Sequence, residues 1–330
     1  MSKLPLTFAC GLYDRMLALH TGDVRPDGIE LNYIPMDDAR QIFDRMGGGL
    51  EFDLCEFSSS EFISRMSKGD DSMVALPVFP SRVFRHGFTF INKKSGIKKP
   101  KDLEGRRIGV PLYTMSAAVW ARGALQDDNG VDLSGVKWVQ GSMNAPGAHG
   151  SPSAPPLLKP VSIEQNNTGK SLSQLLSEGA IDATLGAVTP DCYGKIPDVV
   201  RLFPDYRAVE RDYCKRTKIF PIMHLLAMRR DVYDKHPFIA SSLFIAFERS
   251  KAWALHRMRE LGTLKYMVPW LGPDIEEMDE VFGGDPFAYG LEPNRPTLTA
   301  LVKHLHEQGL IKAPVPIEKL FVPVHAQASH

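Results

Sequence analysis

The chain has 330 residues, 43% of them hydrophobic and 24% charged, which is enough for about two packed units and excludes a disordered tail or a fibrous repeat. Its 39 basic and 39 acidic residues cancel to a formal net charge of +0, so no global field recruits nucleic acid or an anionic membrane surface, and a charged ligand must be held by local groups. Four cysteines, Cys10, Cys55, Cys192 and Cys214, stand far apart without a C-x-x-C pair, which fits reduced thiols better than a disulfide framework or a zinc site.

Residues 6–10 form the first predicted strand. The apolar run around them is short, contains Pro5 and passes straight into Tyr13, Asp14 and Arg15, so it does not match an export signal. No segment reaches the roughly 18 apolar residues of a membrane span, and a cytoplasmic protein is expected. A second strand is predicted over 29–34, then a helix over 38–46 ended by Gly47, Gly48 and Gly49. A third strand over 52–56 opens into Ser58, Ser59 and Ser60, where an α/β sheet places its ligands; an ordinary helix cap by Ser59 or Ser60 competes with that reading.

Residues 77–92, PVFPSRVFRHGFTFIN, are apolar but carry Arg82, Arg85 and His86. A lysine-rich connection follows, and RIGV at 107–110 restarts a strand pattern as if a new sheet began, which places a lobe boundary near residue 94. Thr114 and Ser116 then lead a helix, a strand-turn-helix arrangement that offers free backbone N–H groups to an anion. Residues 141–160, rich in Gly, Pro, Ser and Ala, read as a long irregular loop with a solvated His149. Ser171 and Gln174 make a capping box for a helix ended by Gly179. A buried strand over 181–187 runs out at Thr189, Pro190 and Asp191, and IFPIMHLLAM at 219–228 is an apolar strand carrying His224. The remainder reads as helical, over 239–261 and 297–308.

Strand and helix patterns alternate over the first two thirds, the mark of an α/β architecture. The two apolar crossings, near 84–92 and 217–228, bracket a middle segment with its own α/β pattern. A two-lobed cleft protein is expected, with residues 1–93 and 218–330 forming lobe I, residues 94–217 lobe II, and the crossings acting as hinges.

Several segments carry a resemblance to a known family: ACGLYDRMLAL and TGDVRPDGIELNY near the start, IFDRMGGGLEFDLCEFSSSEFISR, ALPVFPSRVFRHGFTF, DLEGRRIGVPLYTMSAAVWARG, RLFPDYRAVERDY, TKIFPIMHLLAMRRDVY and DEVFGGDPFAYGLEPNRPTL. Over nearly its whole length the chain resembles the 4,5-dihydroxyphthalate decarboxylase family, relatives of type II periplasmic solute-binding proteins. One departure is Phe287–Ala288, where the resemblance leads us to expect an aromatic-proline pair. The resemblance implies a periplasmic-binding-protein type II-like fold, a carboxy-lyase activity in phthalate degradation, and no organic cofactor. The sequence shows no H-E-x-x-H, no complete glycine fingerprint and no clustered metal ligands; His304 and His306 point to different helix faces. A small aromatic dicarboxylate is the expected partner, with no nucleic acid, no membrane and homo-oligomer formation left open. The competing reading is a solute-binding module that captures an aromatic or pyrimidine carboxylate without chemistry.

In the implied substrate each ring carboxylate is para to a hydroxyl, so the site needs an acceptor for the phenol, an acid for the ring carbon and cations for the retained carboxylate. Arg82 and Arg85 are the expected anion clamp, against interlobe salt bridges as the alternative. His86 and His224, one on each crossing, are the expected titrating pair, against hydrogen-bonded core histidines. Thr114, Ser116, Ser59 and Ser60 are expected to donate to the second carboxylate. Tyr13, Asp14 and Arg15 follow the first strand at its ligand-facing end. Asp14 either accepts from a phenol hydroxyl or pairs with Arg15, and Asp191 is a further acceptor candidate. Tyr289 and Arg295 are expected to pack the carboxyl-terminal helices, with shaping of the pocket as the alternative.

Overall fold

The computed structural model describes residues 3–325; residues 1–2 and 326–330, the outer ends of the expected first lobe, lie outside the described residues. Eleven strands fall into two sheets among the described residues. In the first, β1 (Leu4–Cys10), β2 (Ile29–Pro35), β3 (Leu54–Ser58), β4 (Met73–Arg82) and β11 (Ile222–Arg229) run in the order β2-β1-β3-β11-β4. The second contains β5 (Thr89–Asn92), β6 (Arg107–Val110), β7 (Lys137–Gln140), β8 (Ile163–Gln165), β9 (Ala183–Leu185) and β10 (Val199–Arg201), in the order β10-β5-β9-β6-β7-β8.

The strand β11 explains why the first lobe needs both ends of the chain. It enters antiparallel between β3 and β4 after the whole second sheet has been made, with Leu226 opposite Glu56 on one side and Leu76 on the other. Its sequence IMHLLAMR is buried on both flanks, as a central strand requires. By contrast β4 contains Pro77 and Pro80, which cannot donate to a ladder, and accordingly lies at the sheet edge. That edge is covered by the carboxyl-terminal segment: the Gly290 amide donates to the Pro77 carbonyl at 2.8 Å and the Val322 amide to that of Ala75 at 3.0 Å.

The chain changes sheet earlier than residue 94. The apolar run 77–92 is two strands broken at 83–88 by a 3-10 turn, His86–Phe88, and β5 pairs antiparallel with β9 and β10 in the second sheet. The change therefore falls between Arg82 and Thr89, because apolarity alone does not tell one buried strand from two joined by a turn. The chain returns between Thr217 and Ile222. The two crossings touch, with the Val83 amide donating to the Pro221 carbonyl at 3.1 Å.

The three glycines at 47–49 do not stop their helix. It runs Ala39–Gly49 and ends at Leu50, which takes the left-handed φ of 50°. Gly47 serves packing instead: a Cβ there would stand 2.2 Å from the Ser153 hydroxyl oxygen. Residues 141–162 contain neither helix nor strand, and Ser171 with Gln174 forms a capping box on the helix Leu172–Glu178. No helix of the described residues is long and apolar enough to cross a membrane.

Candidate functional site

A cavity of about 330 Å³ opens where the two sheets face each other, within the range of about 300–1,000 Å³ ordinary for small-molecule sites. Its first-lobe wall comes from the strand ends Ser58 and Ser81, from His224, and from the start of the helix Ala39–Gly49. The second lobe supplies Ser116 at the start of the helix Ser116–Asn129, and Arg85 and Phe88 come from the first crossing. A larger groove of about 650 Å³ beside β2 holds none of the expected site residues.

His224 lies on β11 directly opposite Ser58, with Leu226 opposite Glu56. Glu56 and His224 are thus diagonal neighbours on one face, a spacing that long side chains bridge. The Glu56 carboxylate meets the His224 Nδ1 at 2.5 Å and also accepts from the Tyr13 hydroxyl at 2.7 Å and the Gly11 amide at 3.1 Å. Burial raises the Glu56 pKa, but the His224 ring, the Tyr13 hydroxyl and the Gly11 amide outweigh it and hold the carboxyl below its ordinary value. The imidazole itself remains about one fifth exposed toward the cavity, with the Phe43 ring edge-on at 4.8 Å. A carboxylate-oriented histidine in a solvent-restricted cleft can hold and release a proton at a defined atom.

Arg85 is 6% exposed and faces the same cavity. Its Nε lies 3.2 Å from the Met223 sulfur and its guanidinium stands 5.0 Å from the Phe88 ring centroid. No carboxylate of the described residues comes within ion-pair distance; Glu210 acts on it only from further away. Burial therefore lowers its pKa to about 9, which still leaves it cationic at neutral pH. Arg40, the other cavity arginine, is already matched by Asp44 at 2.6 Å and Glu61 at 3.3 Å.

Arg82 is equally buried but turns away from the cavity. It donates to the Phe220 carbonyl at 2.9 Å and the Ala288 carbonyl at 3.4 Å, and so ties the second crossing and the late glycine loop to β4. His86 also turns away, into a nest formed by Phe203 and Tyr213, with ring centroids at 5.5 and 5.2 Å. Neither of its nitrogens has a hydrogen-bond partner, and burial pushes its pKa down to about 4. Alternation along an apolar segment cannot show which basic side chains face a cleft once the segment turns, which is why Arg82 and His86 were not separable from Arg85 in the sequence.

The four serines form one knot across the lobes. The Ser116 hydroxyl lies 3.1 Å from those of Ser58 and Ser59 and 3.0 Å from that of Ser60, and accepts from the Ser60 amide at 3.1 Å. Ser59 further donates to the Met223 carbonyl at 2.9 Å and Ser60 to the Thr114 carbonyl at 2.8 Å. Only Ser58 and Ser116 of this set line the cavity; Thr114 contributes its backbone and does not line it.

Three expected residues lie elsewhere. Asp14 is exposed, caps the turn at its own amide neighbour Arg15, and pairs with that side chain at 3.1 Å. Arg15 stacks between the rings of Tyr13 and Phe287, at 4.3 and 4.1 Å, and donates to the Pro80 carbonyl. Asp191 is exposed, its amide bound by Asn144. These positions follow strand ends by sequence, but the turns after the strands carry them away from the cavity. Phe287 and Ala288, the departure from the family pattern, also lie outside the cavity.

Two features of the site are not evident from the sequence. Glu56 reads as an ordinary strand residue, although an acid inside the apolar run LCEFS is itself a signal that a partner must exist. His149 is half-buried rather than fully solvated: its loop carries it into the cavity wall beside Asp38 and Arg40. The one metal-like grouping among the described residues, Asp127, His304 and Glu307 within 4.8 Å of one another, sits between two helices away from the cavity and is matched by Lys303 at 2.7 Å.

No family model matches the chain. It is 35% identical over 329 residues to a 4,5-dihydroxyphthalate decarboxylase of Comamonas testosteroni, covering 99% of both chains. Over 214 residues it is 35% identical to the protein of that name in Pseudomonas putida, covering 64% of this chain and 82% of the relative. Among solved structures it is similar to the periplasmic aliphatic sulphonate binding protein SsuA from Escherichia coli, with a TM-score of 0.55 at 13% identity, covering 100% of this chain and 96% of that one. It is also similar to the desulfurization enzyme DSZB, with a TM-score of 0.52 at 15% identity and 97% of each chain covered. These likenesses identify a two-lobed, periplasmic-binding-protein-like fold. Together with the match along its whole length, they make this chain a member of the 4,5-dihydroxyphthalate decarboxylase family.

Proposed function

We propose that the protein decarboxylates 4,5-dihydroxyphthalate, or a close hydroxylated aromatic dicarboxylate, to 3,4-dihydroxybenzoate and carbon dioxide, as a cytoplasmic enzyme without an organic cofactor. The observation that carries this reading is the coexistence, on the walls of one cavity, of an unmatched buried guanidinium and a carboxylate-backed imidazole. A dianionic ring needs the first; protonation of a ring carbon needs the second. Arg85 and the start of the helix Ser116–Asn129 would hold the carboxylate that stays, leaving the other beside His224. Proton delivery by a positioned group contributes about 10² to 10⁴-fold, or roughly 3–5 kcal/mol, and fixed orientation of the dianion contributes further.

The same fold also houses solute-binding proteins, so capture without chemistry is the competing reading. Purified protein incubated with 4,5-dihydroxyphthalate should release carbon dioxide and 3,4-dihydroxybenzoate in equal amounts, and prior treatment with a chelator should leave the rate unchanged. Saturable binding with no product would favour capture. Activity lost to the chelator and restored by a metal would overturn the cofactor-free part.

A further inference from the structure

Residues 141–162 leave the second lobe after β7 and cross to the first before returning as β8. The crossing is bonded at four residues, Ser151, Ser153, Pro156 and Leu158. The Ser151 amide donates to Asp44 at 2.9 Å, the Ser153 amide to Glu61 at 2.9 Å, and Arg65 grips the Ser153 hydroxyl at 2.6 Å. Lys68 reaches the Pro156 carbonyl at 3.0 Å, and the Leu158 amide donates to the Gly309 carbonyl at 2.7 Å. Two glycines permit the contact. Gly150 takes a φ of 70°, and a Cβ there would stand 2.5 Å from the Arg40 side chain; Gly47 meets Ser153 as closely from the other side. The segment is a strap laid over the cleft, and the residue before Gly150 is His149, held in the cavity wall that His224 and Arg85 share.

We propose that His149 is a catalytic residue, the acceptor for the phenolic proton of the substrate, delivered by the strap to the cavity wall beside Asp38 and Arg40. This rests on the decarboxylase reading. Neutral His149 takes the phenol proton, and the phenolate pushes its electron pair into the ring. The ring carbon bearing the departing carboxylate takes a proton from His224, and the ring becomes a dienone. The carbon–carbon bond then breaks, carbon dioxide leaves, and the bonding pair restores the aromatic ring as a phenolate. That phenolate recovers the proton from His149. One proton, supplied through His224 and replaced from water, is consumed per turnover.

The surroundings suit an acceptor. Arg40, Asp38 and Asp44 face His149 from the first-lobe helix, and Arg85 and His224 from the other cavity walls. Burial, then Arg40, lower its pKa below the ordinary 6.5, against the two aspartates. The neutral, proton-accepting form therefore persists below the pH at which a free histidine would charge.

The test compares wild type, His149→Gln and Gly150→Ala for turnover of 4,5-dihydroxyphthalate across pH, with calorimetric binding of phthalate, which lacks the phenols. His149→Gln should bind phthalate within about threefold of wild type, lose at least about 10²-fold in kcat and lose the acid limb of its kcat/KM profile. Gly150→Ala, which lifts the strap but keeps the histidine, should lose at least about tenfold in kcat per folded molecule, measured below its lowered melting temperature. Turnover of His149→Gln within threefold of wild type, or an unchanged acid limb, overturns the inference alone. Wild-type protein that binds phthalate but never releases carbon dioxide overturns the decarboxylase reading, and the inference with it.

Discussion

Glu56 and His224, 168 residues apart in sequence, meet at 2.5 Å because β11 is threaded between β3 and β4 after the second lobe is complete. The carboxylate is wholly buried and the imidazole is its link to the cavity. Glu56→Gln keeps the shape but only one acceptor oxygen, whereas Tyr13 donates to Oε1 and Gly11 to Oε2, and it removes the charge that faces His224. We expect kcat to fall by about 10²-fold, because the imidazole loses the carboxylate that orients it for proton transfer. Stability should also drop at neutral pH by about 1.5–3 kcal/mol, as for a lost hydrogen bond to a charged group. The folded carboxyl titrates below its unfolded value, so wild type loses this advantage as pH falls through the folded pKa, and the two proteins converge in acid. Urea denaturation at neutral and acid pH checks the second point; a stability gap independent of pH would contradict it.

Arg82 and Arg85 stand three positions apart and should respond oppositely to the same substitution. Arg85 has no acidic partner and faces the cavity, so Arg85→Lys should raise KM by about 10-fold or more while leaving the melting temperature near that of wild type, since a planar fork is exchanged for a point charge. Arg82 binds two backbone carbonyls from a buried position. Arg82→Lys should therefore lower stability by about 1–3 kcal/mol with KM unchanged per folded molecule. Steady-state kinetics beside thermal denaturation separates the two, and equal KM effects would restore the double clamp.

The two-lobed α/β frame was legible because each lobe repeats strand and helix periods that need no knowledge of partners. The two crossings were legible too, as apolar runs that carry cations. Orientation was not. Whether Arg82, Arg85 or His86 faces the cleft depends on a 3-10 turn at His86–Phe88 that apolar spacing does not encode. Asp14, Arg15 and Asp191 follow strands, yet turn geometry places them away from the cavity. His149 was invisible for a different reason: a Gly-, Pro- and Ser-rich stretch looks like an unattached loop, and its anchors Asp44, Glu61 and Arg65 lie about 90–110 residues away. Only long-range hydrogen bonds make it a strap.

Ser116 sits at the centre of the interlobe serine knot, and its hydroxyl is the acceptor for the Ser60 amide. Ser116→Ala leaves that buried N–H without a partner and should cost about 1–3 kcal/mol, measured by urea denaturation. Thr114→Val is the control. Thr114 joins the knot through its carbonyl, which valine retains, so stability should change by less than about 0.5 kcal/mol. A large loss at Thr114 would show that its hydroxyl, and not the backbone, joins the lobes.

His86 makes a prediction about pH that does not involve turnover. Burial holds its folded pKa at about 4, against 6.5 for the free side chain, and His304 is held at about 4 for the same reason. Above pH 6.5 both are neutral in the folded and unfolded chains, and the native state carries its full stability. As pH falls from 6.5 toward 4, the unfolded chain binds protons that the native chain does not, so stability declines. The slope is about 1.4 kcal/mol per pH unit for each histidine. His86→Leu fits the aromatic nest without leaving two unpartnered nitrogens, and should reduce the loss between pH 7 and pH 5 by about 2 kcal/mol, with the share due to His304 remaining. Because His86 points away from the cavity, turnover per folded molecule should stay within threefold of wild type. An unchanged pH slope would remove His86 from the acid response, and a 100-fold loss of turnover at full folding would return it to the chemistry.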